Sequence, residues 1–140
     1  MQKAELNWNG RMAFTTTTPS GAEMTFDTNP DEGGDLSGPN PVEALVCSLA
    51  ACMGMDVASL IPKMRQGVIE YRIEVEWERG PEGEWPRPVT KVTLRHFLKG
   101  NDLNPALIEK AIRLSDERYC SVLSTIRSNP EFSSTFEIEA

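Results

Sequence analysis

Between Ala44 and Met55 the chain carries twelve consecutive residues without a charge. No other feature restricts the fold as much. The four residues before it, Asn40-Pro41-Val42-Glu43, supply a capping side chain, a proline at the first helical position and an acid at the third, so a helix is predicted to start there. It can run to about Leu60, ahead of Pro62. Apolar residues fall on every side of its middle, and such a helix has to be covered around its whole circumference. A chain of 140 residues has little left with which to do so alone, which predicts an interleaved homodimer. Twelve residues are well short of the roughly 20 that span a bilayer. The stretch is therefore read as buried core, and no membrane partner is expected.

Length and charge narrow the rest. The 140 residues fit one domain, 1–140, of ordinary globular composition. A formal net charge of −7 without a Lys/Arg cluster argues against nucleic acid as a partner. The start, Met1-Gln2-Lys3-Ala4-Glu5, lacks the basic and apolar regions of a signal peptide, so a cytoplasmic location is expected. Three cysteines without regular spacing do not form the disulfide framework of a small secreted domain. In a reducing compartment they are core thiols or working ones.

Along the chain, Ala4, Leu6 and Trp8 alternate with polar residues and lead into Asn9-Gly10, a hairpin signal. Strands are predicted over about 3–8, 11–18 and 23–27, forming a small antiparallel meander. The segment Asn29 to Asn40, rich in Gly, Pro and acids, is expected to be a mobile loop that gates access to the following helix. Tyr71, Ile73, Val75 and Trp77 alternate with charged residues in one strand, and Val92, Leu94, His96 and Leu98 share a face in the next. Asn104-Pro105 starts an amphipathic helix, a helical turn is expected over Cys120 to Ile126, and a strand over Glu131 to Glu139.

Read locally, each candidate for chemistry has a structural alternative. Cys52 on an apolar helix fits a packing role as well as a nucleophile's, because burial alone raises a thiol pKa and reactivity needs a nearby cation or helix N-terminus. Cys120 follows Tyr119 at the expected start of a helical turn, where unpaired N–H groups favour a thiolate. Glu43 has a sufficient role in the helix cap. Cys47, five residues before Cys52, is not on the same helical face and is read as core. One histidine, His96, with scattered cysteines makes no zinc pattern. No metal is predicted, and with no phosphate loop, dinucleotide fingerprint or Ser-His-Asp order, no cofactor.

Two segments, Pro41-Val42-Glu43 leading through small residues to Ala50-Ala51-Cys52, and Tyr119-Cys120-Ser121-Val122, together resemble the two cysteine motifs of the OsmC/Ohr family. The resemblance extends over essentially the whole chain, in element order and in the separation of about 70 residues between the cysteines. It implies an α+β fold in which antiparallel sheets wrap around a long apolar central helix, and an intertwined homodimer whose active sites use both subunits.

The function it implies is a thiol peroxidase for organic hydroperoxides in oxidative-stress defence. By resemblance, Cys52 attacks the peroxide and becomes a sulfenic acid, Cys120 resolves it as a disulfide, and a small or protein-bound dithiol restores the pair. Arg11 follows the first hairpin turn, where the family places its active-site arginine, and a guanidinium there would favour the thiolate. Glu43 matches less closely. In the Ohr branch the active-site glutamate directly follows the proline, ten positions before the first cysteine, whereas here Val42 holds that place and Glu43 is nine before Cys52. Two other readings stay open: a non-catalytic dimer that binds a small apolar ligand, and a thiol redox sensor.

Overall fold

A computed structural model of the chain describes residues 1–139. The chain divides into two compact units, each made of two separate stretches: Met1–Cys47 with Trp77–Val92, and Ser48–Glu76 with the chain from Thr93 onward.

The first unit opens with the expected antiparallel meander, β1 (Asn7–Trp8), β2 (Phe14–Thr17) and β3 (Glu23–Phe26), in the order β1-β2-β3. Its first hairpin pairs Trp8 with Phe14 and its second Phe14 with Phe26. The Asn9-Gly10 connection is wider than a two-residue turn. Asn9 Oδ1 accepts from the N–H groups of Arg11 (2.9 Å) and Ala13 (3.2 Å), and Gly10 takes a φ of +96° that other residues rarely adopt. Pairing therefore begins only at Trp8, and β1 is shorter than the alternation predicts.

The loop after β3 is not the loose segment that its composition predicts. Asp27, buried, accepts from the N–H groups of Thr28, Asp35 and Ser37 and from the Ser37 hydroxyl at 2.6 Å. Four donors around one carboxylate gather the loop. Gly34 and Gly38 lie where any Cβ would collide with backbone, at 2.1 Å from Thr28 O and 2.2 Å from Thr25 O. Polar content here serves internal bonding rather than solvation.

Helix α1 (Pro41–Lys63) starts at the predicted cap, where Asn40 Oδ1 accepts from Glu43 N at 2.9 Å. It continues past Leu60 and carries Pro62 in its last turn; the chain turns out of the helix at Arg65, φ +56°, with Gln66 N donating to Ile61 O and Arg65 N to Pro62 O. At 23 residues α1 is long and apolar enough to cross a bilayer, where the twelve uncharged residues alone fall short. One face is buried, carrying Val46, Leu49, Ala50, Met53, Val57 and Ile61. The opposite face is open: Met55 is 71% exposed and Leu45 48%. A single chain thus covers only part of the circumference.

In the second unit, Val57 and Ile61 pack with Ala111, flanked by Tyr71, Leu98 and Ile112. Fully burying such an aliphatic side chain contributes roughly 1.5–3 kcal/mol. The strands β4 (Gly67–Arg79) and β5 (Val89–Asn101) form a two-stranded sheet. Their joined ends meet at Gly80 N and Pro88 O, 2.9 Å apart. Helix α2 (Pro105–Leu114) is capped by Asn104, runs into a π-helical turn over Ser115–Tyr119, and is followed by α3 (Ser121–Ser128). The strand expected over 131–139 is not formed among the described residues. Phe132, Phe136 and Ile138 stand exposed, and a strand needs a ladder partner to satisfy its backbone. The fold is α+β, with antiparallel strands and a long apolar helix.

Candidate functional site

Cys52 and Asp56 are one helical turn apart on α1 and therefore share a face. Facing them is the corner between α2 and α3. The π-helical turn closes with Cys120 N donating to Ser115 O at 2.9 Å, which leaves Cys120 at the cap of α3. Its sulfur accepts from Leu123 N at 3.4 Å, doing the work usually given to a serine or aspartate side chain. Ser115, completely buried, donates its hydroxyl to Asp56 Oδ2 at 2.8 Å. The corner is thereby pinned to α1, and the two sulfurs and an Asp56 carboxylate oxygen lie within 4.8 Å of one another.

Access and electrostatics differ between the thiols. Cys52 is partly exposed, whereas Cys120 is 4% exposed. Burial pushes the Cys120 thiol up; the Leu123 N–H works against this, and the Cys52 thiol and the Asp56 charge add to the rise. Cys120 thus rests as a protonated thiol at neutral pH. A cavity of about 360 Å³ reaches it, rimmed by Asp116, Glu117, Arg118 and Arg127. Three donors are one short of a closed structural zinc site and equal in number to those of an open one. What they can carry out unaided is proton transfer and thiol–disulfide exchange.

The structure brings Cys52 and Cys120 together. Arg11 and Glu43 belong to the first unit, and each is held there by bonds of its own. Arg11 pairs with Asp35 at 3.1 Å and donates to Gly33 O at 3.2 Å, so that its charge is tied to the loop gathered by Asp27. Glu43 is exposed and gives its N–H to the helix cap. Cys47, expected in the core, is instead exposed. Five residues turn it away from Cys52, and the same turn carries it off the packed face of α1.

Two participants were not anticipated. Asp56 had a signal, a carboxylate one turn after Cys52 at the edge of an uncharged stretch. Ser115 had none, because only the π-helical turn directs its hydroxyl inward. His96 lies half-buried and stacked on Tyr71, whose hydroxyl is 2.7 Å from Nδ1. Burial pushes Tyr71 up to about 12 and His96 down, so the tyrosine donates to a neutral imidazole.

A family model for OsmC-like proteins matches residues 32–135. The chain is 30% identical over 138 residues to protein YhfA of Escherichia coli K12, covering 99% of this chain and 98% of that protein. Among solved structures, a hypothetical protein from Aquifex aeolicus is 28% identical, with a TM-score of 0.73 over 91% of this chain and 87% of that one. An organic hydroperoxide resistance protein OsmC from Legionella pneumophila shares the fold at 19% identity, with a TM-score of 0.65 over 92% and 90% of the two chains. With a matching family model, full-length relatives and two cysteines that meet across the fold, the chain belongs to the OsmC/Ohr-like family.

Proposed function

We propose that the chain is a thiol peroxidase that reduces organic hydroperoxides, in oxidative-stress defence. The observation that carries this is the meeting of Cys52 and Cys120, far apart in sequence, with their sulfurs within 4.8 Å. Cys52, the more accessible thiol, attacks the terminal peroxide oxygen. The O–O bond breaks, an alcohol leaves, and Cys52 becomes a sulfenic acid. Cys120 then displaces the sulfenic oxygen as water and forms the disulfide, which a dithiol reduces by exchange. A structure relative from Legionella pneumophila is described as an organic hydroperoxide resistance protein, which supports the choice of substrate class.

By the family resemblance Arg11 is assigned the role of the cation that favours the Cys52 thiolate; within its own unit Asp35 and Gly33 fix the guanidinium. Glu43, nine positions before Cys52, stands in the sequence position nearest to that of the family's glutamate and is assigned that role by resemblance. The working form is a cytoplasmic homodimer; the open apolar face of α1, with Leu45, Ala51, Met55 and Ala58, is the surface that a second copy covers. Peroxide consumption with a dithiol tests the proposal. Turnover above a double Cys52→Ala, Cys120→Ala control is expected, and equal rates would leave only the binding or sensing alternatives. A binding role would use the shallow groove of about 400 Å³ lined by Ala51, Gly54, Met55 and Ile73, which lies on this same face and is covered with it in the dimer.

A further inference from the structure

We infer that Asp56 is the proton carrier of the disulfide-forming step and that Ser115 is its positioning residue. This rests on the reading that Cys52 passes through a sulfenic acid, and it adds a residue to that site. Cys120 is buried and rests as a thiol, so its sulfur has to lose a proton when it attacks. The Asp56 carboxylate lies within 4.8 Å of both sulfurs, a span that one water or one rotamer step closes. Ser115, fully buried on the π-helical turn, occupies Oδ2 at 2.8 Å and leaves the rest of the carboxylate free to accept.

The step balances without an outside partner. The lone pair of Cys120 sulfur attacks the sulfur of Cys52 sulfenic acid, the S–S bond forms and the S–O bond breaks. The Cys120 proton passes to Asp56 and from there to the departing hydroxide, so water leaves and the carboxylate ends as it began. The oxidising equivalent is the one the hydroperoxide delivered. Other charges around this corner are Asp116, Glu117 and Arg118 on the π-helical turn and Arg127 on α3. All four are exposed, and Arg127 is paired with Asp116 at 3.3 Å. None of them joins Asp56 in the cluster with both sulfurs.

Two roles for Asp56 predict opposite signs. As a fixed charge it only disfavours the Cys120 thiolate, and removing it would speed closure at neutral pH. As a proton carrier its loss slows closure by roughly 100-fold or more. Asp56→Asn keeps an acceptor for Ser115 and is the decisive variant. In stopped-flow single turnovers with one equivalent of cumene hydroperoxide, sulfenic acid should form in Asp56→Asn and then persist, and closure should follow one ionisation at high pH. Ser115→Ala should fall between the two and Ser115→Thr should restore the wild-type rate. Closure in Asp56→Asn as fast as, or faster than, in the wild type would overturn the inference.

A second measurement needs no peroxide. In a Cys47→Ser background, a mixed disulfide of Cys52 with thionitrobenzoate releases its coloured thiolate when Cys120 attacks. Slow release in Asp56→Asn supports the proton carrier even if the protein consumes no peroxide. Equal release overturns it while leaving the peroxidase reading standing.

Discussion

Asp27 in the first unit and Asp56 in the second each accept from a serine hydroxyl, at 2.6 Å from Ser37 and 2.8 Å from Ser115. Around Asp27 three backbone N–H groups add to that bond, and they hold its carboxyl down at about 2 from an ordinary 3.8, with the Ser37 hydroxyl the largest cause. Its acceptor capacity is used up in fixing a loop. Asp56 has one such donor and two thiols for neighbours. A saturated carboxylate is a structural fastener, and one with spare lone pairs beside a nucleophile is available for proton transfer.

The largest expected effect removes the chemistry altogether. Cys52→Ser should consume no hydroperoxide above the double-cysteine control in a coupled dithiol assay, with the circular dichroism spectrum unchanged. The two aspartates should then separate. Asp27→Ala leaves three N–H groups and a hydroxyl without their acceptor, so amide exchange at Asp35 and Ser37 should speed up by roughly tenfold or more. Asp56→Asn should leave exchange in that loop unchanged and alter only closure. If Asp27→Ala impaired closure alone, the division between fastener and proton carrier would fail.

Acid provides a gentler test. The folded-state pKa of Asp27 lies below its unfolded value, so between the two the unfolded chain binds more protons and stability rises with pH. Its contribution is complete above about 4 and is lost as pH falls from about 4 toward 2. Denaturant melts across that window should show the fall in the wild type and a flatter profile in Asp27→Asn. Ser37→Ala should give the smallest change, about 1 kcal/mol of stability, with the Asp27 carboxyl moving back toward its ordinary range in an NMR titration.

These contrasts also explain what could be read from the sequence. The start of α1 was legible because Asn40, Pro41 and Glu43 act locally, and the alternation in β4 and β5 because it has period two. The two cysteines were legible through their motifs. Loop 29–40 was misread because composition reports polarity but not its partners; the acids and glycines there close on one buried aspartate. Cys47 was misplaced because an all-round apolar helix does not show which face its own chain covers. The strand over 131–139 needs a partner outside its own sequence pattern. Ser115 was invisible because its role depends on a π-helical turn, whereas Asp56 stood one turn from Cys52.

The pairing of Cys52 with Cys120 is tested most directly by mapping disulfides after one equivalent of organic hydroperoxide. Peptide mass spectrometry with the remaining thiols alkylated should find a Cys52–Cys120 bridge with Cys47 alkylated, and Cys120→Ser should stop at a Cys52 sulfenic acid. A bridge to Cys47, or a sulfenic acid on Cys120 in the Cys52→Ser protein, would contradict the assignment.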